Sequence, residues 1–431
     1  MFRKIKKAAF EGTLIGKGLA FIFVKIPKRL LQKLDWLLGC VVRFIYAGFK
    51  KTDPKQIMFI PFQGDYTCNP KYIANELLRR GEPCRIVFAA RERSINERTG
   101  YPECVQLVEQ YTDMYYQELA KSKVIVANSV EFLKKPTPKK RDQVLIETWH
   151  GSLGIKKFGE KNNSGKSWVA AAKRCGKLAD YVISNSTFED AVYRDTFWKK
   201  TEILQYGHPR NDILLKQDEE LAKSIRRNVL HECEGWETCH LVLYAPTFRD
   251  NHTLACYDVD FERLTVALAE RFGGTWRVLL RLHPTVRKAS GKLARNRPVL
   301  DVTKYPDIQE LMLIADAAIT DYSSWIYDFI LTRKPGFIFA TDIASYVDER
   351  GFYYPLTSTP FSISVNNDEL MENVRTFDDV HYRQEVEAFL QDKGCMDDGL
   401  ASQRTVDKIL EVMGESAVRT GSEGKDRCAN E

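Results

Sequence analysis

The sequence predicts two α/β units in series, each built on a parallel sheet. Three observations carry this. From about residue 55, short apolar runs alternate with helical stretches, the pattern that strands and crossover helices produce in a parallel sheet. The alternation breaks near Tyr206–Asn211 and then resumes. The chain's 431 residues also exceed the roughly 250–300 that a single core usually holds.

The chain opens on a different composition. Residues 1–51 hold twelve Lys/Arg and two acids, Glu11 and Asp35, so that stretch carries +10; with +6 overall, the remainder stands at −4. Such asymmetry calls for an anionic partner, a membrane or nucleic acid. Two apolar runs, Gly18–Val24 and Trp36–Phe49, sit among the basic residues. Neither reaches the roughly 18–20 residues that span a bilayer. Lys25, Pro27, Lys28 and Arg29 follow the first run with no small-residue cleavage site, so a secretory signal is not expected. Leu30, Leu31, Leu34, Leu37 and Leu38 recur at helical spacing beside Trp36, as in helices lying at a membrane interface. Each basic residue near an anionic surface contributes about 1 kcal/mol. The alternative is a helix pair that packs on its own unit. No nucleic-acid recognition motif accompanies the charge, so no nucleic-acid partner is expected.

The first unit's strands are expected at Ile57–Pro61, Arg85–Ala89, Val124–Ala127, Val144–Glu147 and Tyr181–Ser184, with helices at Lys71–Arg80, Cys104–Leu119 and Phe188–Thr196. The second unit's strands are expected at Leu241–Tyr244, Arg277–Leu282, Ala317–Thr320 and Phe337–Ala340, with helices at Glu219–Leu230, Asp260–Phe272 and Ile308–Ile314. The boundaries read as 1–54 for the basic segment, 55–205 and 206–413 for the two units, and 414–431 for a polar tail expected to be disordered. With 44% hydrophobic and 28% charged residues the chain is neither collagen-like, nor a disulfide scaffold, nor disordered throughout. Ten cysteines without a Cys-x-x-Cys read as small buried residues in a reducing compartment. His231, Cys233, Cys239 and His240 cluster in sequence, but their spacing matches no standard zinc pattern.

Candidate chemistry sits where strands end, the usual place for ligands in α/β sheets. His150, in Trp149-His150-Gly151, follows the strand Val144–Glu147, and Gly151 allows close approach. With an ordinary pKa of about 6.5, a histidine there suits a general base; a structural hydrogen bond to the turn is the alternative. His283 precedes Pro284, and Arg281 lies two residues earlier on the same strand face; both suit a phosphate. Arg210, in Gly207-His208-Pro209-Arg210-Asn211-Asp212, offers a planar fork for phosphate or a linker turn. Thr247 and Arg249 follow another strand. Asp321, Ser323 and Ser324 lead from a strand into a helix expected at Trp325–Leu331, either as a cap or as a phosphate site at the helix start. No Gly-x-x-x-x-Gly-Lys-Ser/Thr loop, no Gly-x-Gly-x-x-Gly after the first strand and no Gly-x-Ser-x-Gly elbow occurs, which disfavours P-loop NTPases, dinucleotide oxidoreductases and α/β-hydrolases.

Seven motifs in order resemble the CDP-glycerol glycerophosphotransferase family of teichoic-acid and capsule enzymes. They are Glu147-Thr148-Trp149-His150-Gly151, Asn185-Ser186-Thr187, Gly207 to Asp212, Tyr244-Ala245-Pro246-Thr247-Phe248-Arg249, Arg281-Leu282-His283-Pro284, Thr320 to Ser324, and Arg350-Gly351-Phe352-Tyr353. The resemblance covers roughly residues 55–360. It implies a GT-B-like fold: two Rossmann-like domains facing a central cleft, here preceded by the basic amphipathic helical segment. It implies His150 and His283 as catalytic residues, and Gly151, Arg210, Thr247, Arg249, Arg281, Asp321, Ser323 and Ser324 as substrate-binding, without cofactor or metal. Domain 55–205 would take the acceptor and 206–413 the CDP donor. The implied partners are a CDP-glycerol or CDP-ribitol donor, a lipid-linked or polymer acceptor and, through residues 1–51, the anionic cytoplasmic face of a bacterial membrane. Many relatives read Thr-Pro-Leu-Lys after the His-Gly pair; this chain reads Ser152-Leu153-Gly154-Ile155-Lys156-Lys157. A nucleotide-sugar glycosyltransferase on the same fold and a non-catalytic membrane assembly protein are the competing readings.

Overall fold

The computed structural model describes residues 28–135, 137–154, 157, 165–247, 257–282, 298–343 and 351–414. Expectations for residues 1–27, Arg249, His283, Arg350 and the tail from residue 415 lie outside the described residues.

Seven strands form the first sheet: β1 (Asp53–Ile60), β2 (Arg85–Ala90), β3 (Gln106–Glu109), β4 (Ser122–Ala127), β5 (Val144–Glu147), β6 (Tyr181–Ser184) and β7 (Glu202–Gln205). Their order is β3-β2-β1-β4-β5-β6-β7. Six form the second: β8 (His240–Tyr244), β9 (Trp276–Leu280), β10 (Val299–Asp301), β11 (Ala317–Thr320), β12 (Gly336–Phe339) and β13 (Ser362–Ser364), in the order β10-β9-β8-β11-β12-β13. Every pairing in both sheets is parallel. Parallel sheets are covered on both faces, which is why Ile57 to Ile60 form an unbroken apolar run. Met58 and Ile60 face a core with Trp149 and Trp198; Ile57 and Phe59 face the opposite one.

Strand order reverses between β1 and β4 in the first sheet and between β8 and β11 in the second. Each reversal opens a crevice at the strands' C-terminal ends.

The differences from the sequence reading have local causes. The helix expected over Cys104–Leu119 is instead β3, a turn with Tyr111 at φ 67°, and a helix over Asp113–Lys121. Thr112 starts that helix, its hydroxyl accepting from Tyr115 N–H at 3.3 Å. β7, β10 and β13 went unpredicted because they are three- or four-residue outer strands, only partly buried, with no continuous apolar run. The helix expected at Trp325–Leu331 is one α-turn, Ile326–Phe329, followed by a 3-10 turn at Ile330–Thr332.

The chain passes twice between the sheets. The helix Ala401–Met413, grouped by sequence order with the second unit, returns to the first sheet, where Val406, Ile409, Leu410 and Met413 join Ile57 and Phe59 in one core. Asp212 caps it, accepting from Ala401 N–H at 3.0 Å and Ser402 N–H at 2.8 Å. In the other direction Leu153, just past His150, is fully buried in the second sheet's core.

A continuous helix covers Lys28–Phe49. Arg43 is buried over the Tyr116 ring at 5.3 Å, whereas Val41, Phe44, Ile45 and Phe49 are exposed. Among the described residues, no helix is long and apolar enough to cross a membrane.

A candidate active site where the two sheets meet

His150 lies two residues beyond the residue that follows β5, and the ends of three strands hold it. Its Nδ1 is 2.6 Å from the carbonyl oxygen of Asn128, which follows β4. A carbonyl only accepts, so Nδ1 carries the proton and Nε2 presents its lone pair. The Asn128 side chain accepts from Phe62 N–H at 2.6 Å, just beyond β1. Phe62 in turn stacks on the imidazole, with centroids 5.1 Å apart and planes 3° apart. Packing on one side and a fixed hydrogen bond leave the ring one orientation. Desolvation by the surrounding protein, with Arg210 adding to it, holds the His150 pKa below its usual 6.5. The ring nevertheless keeps an exposed edge, and solvent there moderates the shift.

The turn carrying His150 is strained. Trp149 has φ 51°, left-handed and unfavourable for a bulky side chain. Its N–H donates to the buried Glu147 carboxyl at 2.9 Å. Asn69 Nδ2 donates to the carbonyls of Thr148 and Trp149 at 3.0 and 3.1 Å, while Asn69 Oδ1 accepts from Arg210 N–H at 3.1 Å. At Gly151 a Cβ would come within 2.7 Å of the Trp149 indole nitrogen, so only glycine fits.

Arg210 does not present a free fork. Its Nε donates to Asp328 at 2.9 Å, and its Nη2 donates to Asp328 and to the Gly151 carbonyl. Arg210 and Asp328 are each 2% exposed. Burial alone would depress the guanidinium's pKa, but Asp328 outweighs it and the pKa lies above its ordinary value. The phosphate ligand expected at this position is thus a buried cation tying the His150 turn to the second unit; its opposite charge comes from Asp328 rather than from a ligand. His208 is buried too, its Nε2 3.0 Å from Glu189.

On the second sheet, Thr247 follows β8 and Asp321 follows β11, on either side of the reversal. Asp321 Oδ1 accepts from Thr247 N–H at 2.8 Å and from Tyr322 N–H at 2.5 Å, so this carboxylate fixes both turns. Ser323 and Ser324 are half-buried at the start of the short helix. Arg281, just past β9, is a half-buried cation without a paired anion among the described residues. Its Nη2 donates to the carbonyls of Tyr305 and Pro306 at 3.3 and 3.2 Å, its buried Nε has no partner, and no carboxylate among the described residues pairs with it. Burial lowers its pKa, with Asp307 opposing.

Contacts between the units bring these groups together. Gly154 packs against Ser324, and the Tyr354 hydroxyl donates to the Leu153 carbonyl. Lys71 Nζ pairs with Asp307 at 2.7 Å and with Glu310. His150, Gly151, Arg210 and Ser324 therefore form one neighbourhood, with Thr247 and Asp321 beside Ser324 on the same sheet edge. A cavity of about 310 Å³ near β13, lined by Phe361, Asn373 and Tyr382 among others, contains none of these residues. The sequence reading missed Phe62, Asn69, Asn128 and Asp328. Only Asn128 carried a signal, as a polar residue ending an apolar strand. Among the described residues no group of three or more His, Cys, Asp or Glu is arranged for a metal. His240 stacks on Trp276 at 5.0 Å, and His231 Nδ1 bonds the Asn228 carbonyl.

Residues 42–411 match the family described as CDP-Glycerol:Poly(glycerophosphate) glycerophosphotransferase. A teichoic acid poly(glycerol phosphate) polymerase of Staphylococcus epidermidis is 29% identical over 391 residues, covering 85% of this chain and 52% of that protein. The chain thus spans about half the length of that relative. A teichoic acid glycerol-phosphate transferase of Staphylococcus aureus is 26% identical over 390 residues, covering 85% of this chain and 96% of the other. Among solved structures, the wall teichoic acid polymerase TagF superposes with a TM-score of 0.74 at 27% identity, covering 90% of this chain and 97% of TagF. The two parallel sheets with their switch points facing one junction are the GT-B-like arrangement that TagF shares. A family match that runs through nearly all the described residues, with the same fold, places the chain: it belongs to the CDP-glycerol:poly(glycerophosphate) glycerophosphotransferase family.

Proposed function

We propose that the protein transfers glycerol phosphate, or a related polyol phosphate, from a CDP-activated donor to a lipid-linked or polymer acceptor in teichoic acid or capsule synthesis, releasing CMP. The observation that carries this reading is the His150 imidazole, held by Asn128 and Phe62 so that its basic Nε2 is available where the two units meet. One TagF structure carries CDPG. An acceptor hydroxyl attacks the phosphorus bearing glycerol as His150 Nε2 takes its proton. The new P–O bond forms, the bond to CMP breaks, and CMP leaves with the electron pair. Arg281 is suited to the donor's phosphates because it is a half-buried cation that pairs with no carboxylate among the described residues. His283, Ser323 and Ser324 complete the donor side in this reading; the first sheet's unit, with the returning helix Ala401–Met413, serves the acceptor and the second sheet's unit the donor.

The test is CMP release from CDP-glycerol and CDP-ribitol with a lipid-linked acceptor, and His150→Ala alongside. Release that needs acceptor and falls ~100- to 10,000-fold in the variant is expected. No release from either donor, or release untouched by the substitution, would overturn the reading.

The same proposal places the protein peripherally at the cytoplasmic face of the membrane. Support comes from the exposed apolar stripe Val41, Phe44, Ile45 and Phe49 within the +10 segment. Removing residues 1–27 and changing Phe44 and Phe49 to Ser is expected to abolish sedimentation with anionic vesicles. Unchanged sedimentation would refute it.

A further inference from the structure

We propose that Glu147 is a positioning residue for His150, acting through the Trp149 turn as a buried hydrogen-bonding group that must stay uncharged. The inference rests on His150 being the base. Glu147 ends β5 with no exposed surface. Its Oε1 accepts from Trp149 N–H at 2.9 Å, the residue at φ 51° directly before His150. Its Oε2 lies 3.4 Å from Cys175 Sγ on the helix Lys166–Leu178, so the neutral acid's O–H has the thiol sulfur as its acceptor. The Trp149 indole closes the cage, packing edge-on against Trp198 at 5.5 Å and Trp168 at 6.3 Å. A residue in left-handed backbone stays there only when its surroundings hold it. Here the Glu147 carboxyl holds the amide end of Trp149, and Asn69 holds its carbonyl end.

Among the described residues no charged group pairs directly with the carboxyl. The titratable groups facing it are Cys175 and, from the helix Thr187–Asp195, Tyr193, behind which stand Glu189 and Arg210. His150 lies beyond Trp149. No Lys or Arg pairs with Glu147 among the described residues, and burial pushes its pKa up to about 8, against the smaller opposing pull of the Trp149 and Cys175 hydrogen bonds. Near neutrality Glu147 is therefore a neutral acid. Above that pH an ionised carboxylate needs water, and water enters this core only if its packing, Trp149 against Trp198 included, opens. His150, the residue after Trp149, moves with it.

The experiment measures kcat and KM for CMP release from CDP-glycerol between about pH 5.5 and 9.5. It compares the unaltered protein with Glu147→Gln, Glu147→Ala and His150→Ala. The unaltered protein is expected to lose about tenfold in kcat by one pH unit above the Glu147 pKa. Gln, an uncharged isostere, is expected to recover the activity that Ala loses and to erase the alkaline limb. Ala is expected to lower kcat ~10- to 100-fold with KM for CDP-glycerol unchanged. Should Ala fail to fold, as judged by urea unfolding, the Gln pH profile decides alone. An alkaline limb that survives in Gln, or its absence from the unaltered protein, or Gln as inactive as Ala, would overturn the proposal. Full activity in His150→Ala would instead overturn the base assignment, so the two failures are distinguishable.

Discussion

Gly154→Ala is expected to damage catalysis far more than folding. A Cβ at Gly154 would stand 2.7 Å from Ser324 Cβ and 3.5 Å from Ser324 Cα. Carbon atoms pack at about 3.5–4.0 Å, so roughly 1 Å must be absorbed. Neither side yields freely. On one side the turn is anchored by Leu153, buried in the second core, and by the Arg210 bond to the Gly151 carbonyl. On the other, Ser324 O accepts from Tyr327 N–H at 3.1 Å and starts the helical turn. Either displacement moves a site group: His150 with the turn, or Ser324 with the helix. A shift of about 1 Å between reacting groups lowers turnover on the order of 100-fold, whereas overpacking costs about 1–3 kcal/mol of stability. The assay pairs CMP release with urea unfolding, using Gly165→Ala, where an added methyl meets nothing within 4 Å, as the control. Turnover equal to that of Gly165→Ala would refute the claim that the Gly151–Gly154 segment sets the distance between the two halves of the site.

Three further outcomes follow from the same geometry. Asp328→Asn strips the buried Arg210 of its counter-ion and is expected to lower the unfolding free energy by about 3–5 kcal/mol in urea; a loss below about 1 kcal/mol would mean the guanidinium already has another partner. Arg281→Gln is expected to change stability by no more than about 1 kcal/mol, because this half-buried cation bonds two carbonyls and pairs with no carboxylate among the described residues, and to weaken CDP-glycerol binding ~10- to 100-fold by titration calorimetry; unchanged binding would deny it a phosphate. The base acts deprotonated and desolvation depresses the His150 pKa, so the acid limb of kcat/KM is expected below pH 6.5; a limb above that value would point to another base.

Legibility differed between elements for physical reasons. β5 and β6 were read residue for residue because both faces of these inner strands are buried, leaving compact apolar runs between polar boundaries. β7 and β13 were not, because an outer strand needs few apolar residues. At the site, His150 was legible as a histidine at a strand end. Its partners were not: Asn128 is 22 residues away, and no periodicity pairs Phe62 with His150. Arg210 shows the opposite failure. Its chemistry, an anion-seeking fork, was legible, but the anion was not, since Asp328 lies 118 residues further along the chain. His283 and Arg249 lie outside the described residues.

The return of the last helix to the first sheet has a consequence for biosynthesis. β7 is complete at Gln205, yet the helix that covers Ile57 and Phe59 begins only at Ala401. Ile73, Ala74 and Leu77 of the helix Cys68–Arg80 cover part of that face early, but at 5–20 residues per second about 200 residues of further translation leave the remainder open for ~10–40 s on the ribosome. Through this interval the nascent first unit is a natural client for holdase chaperones. Expressing it alone would make that interval permanent, so a soluble excised first unit requires Ala401–Met413 spliced back onto it.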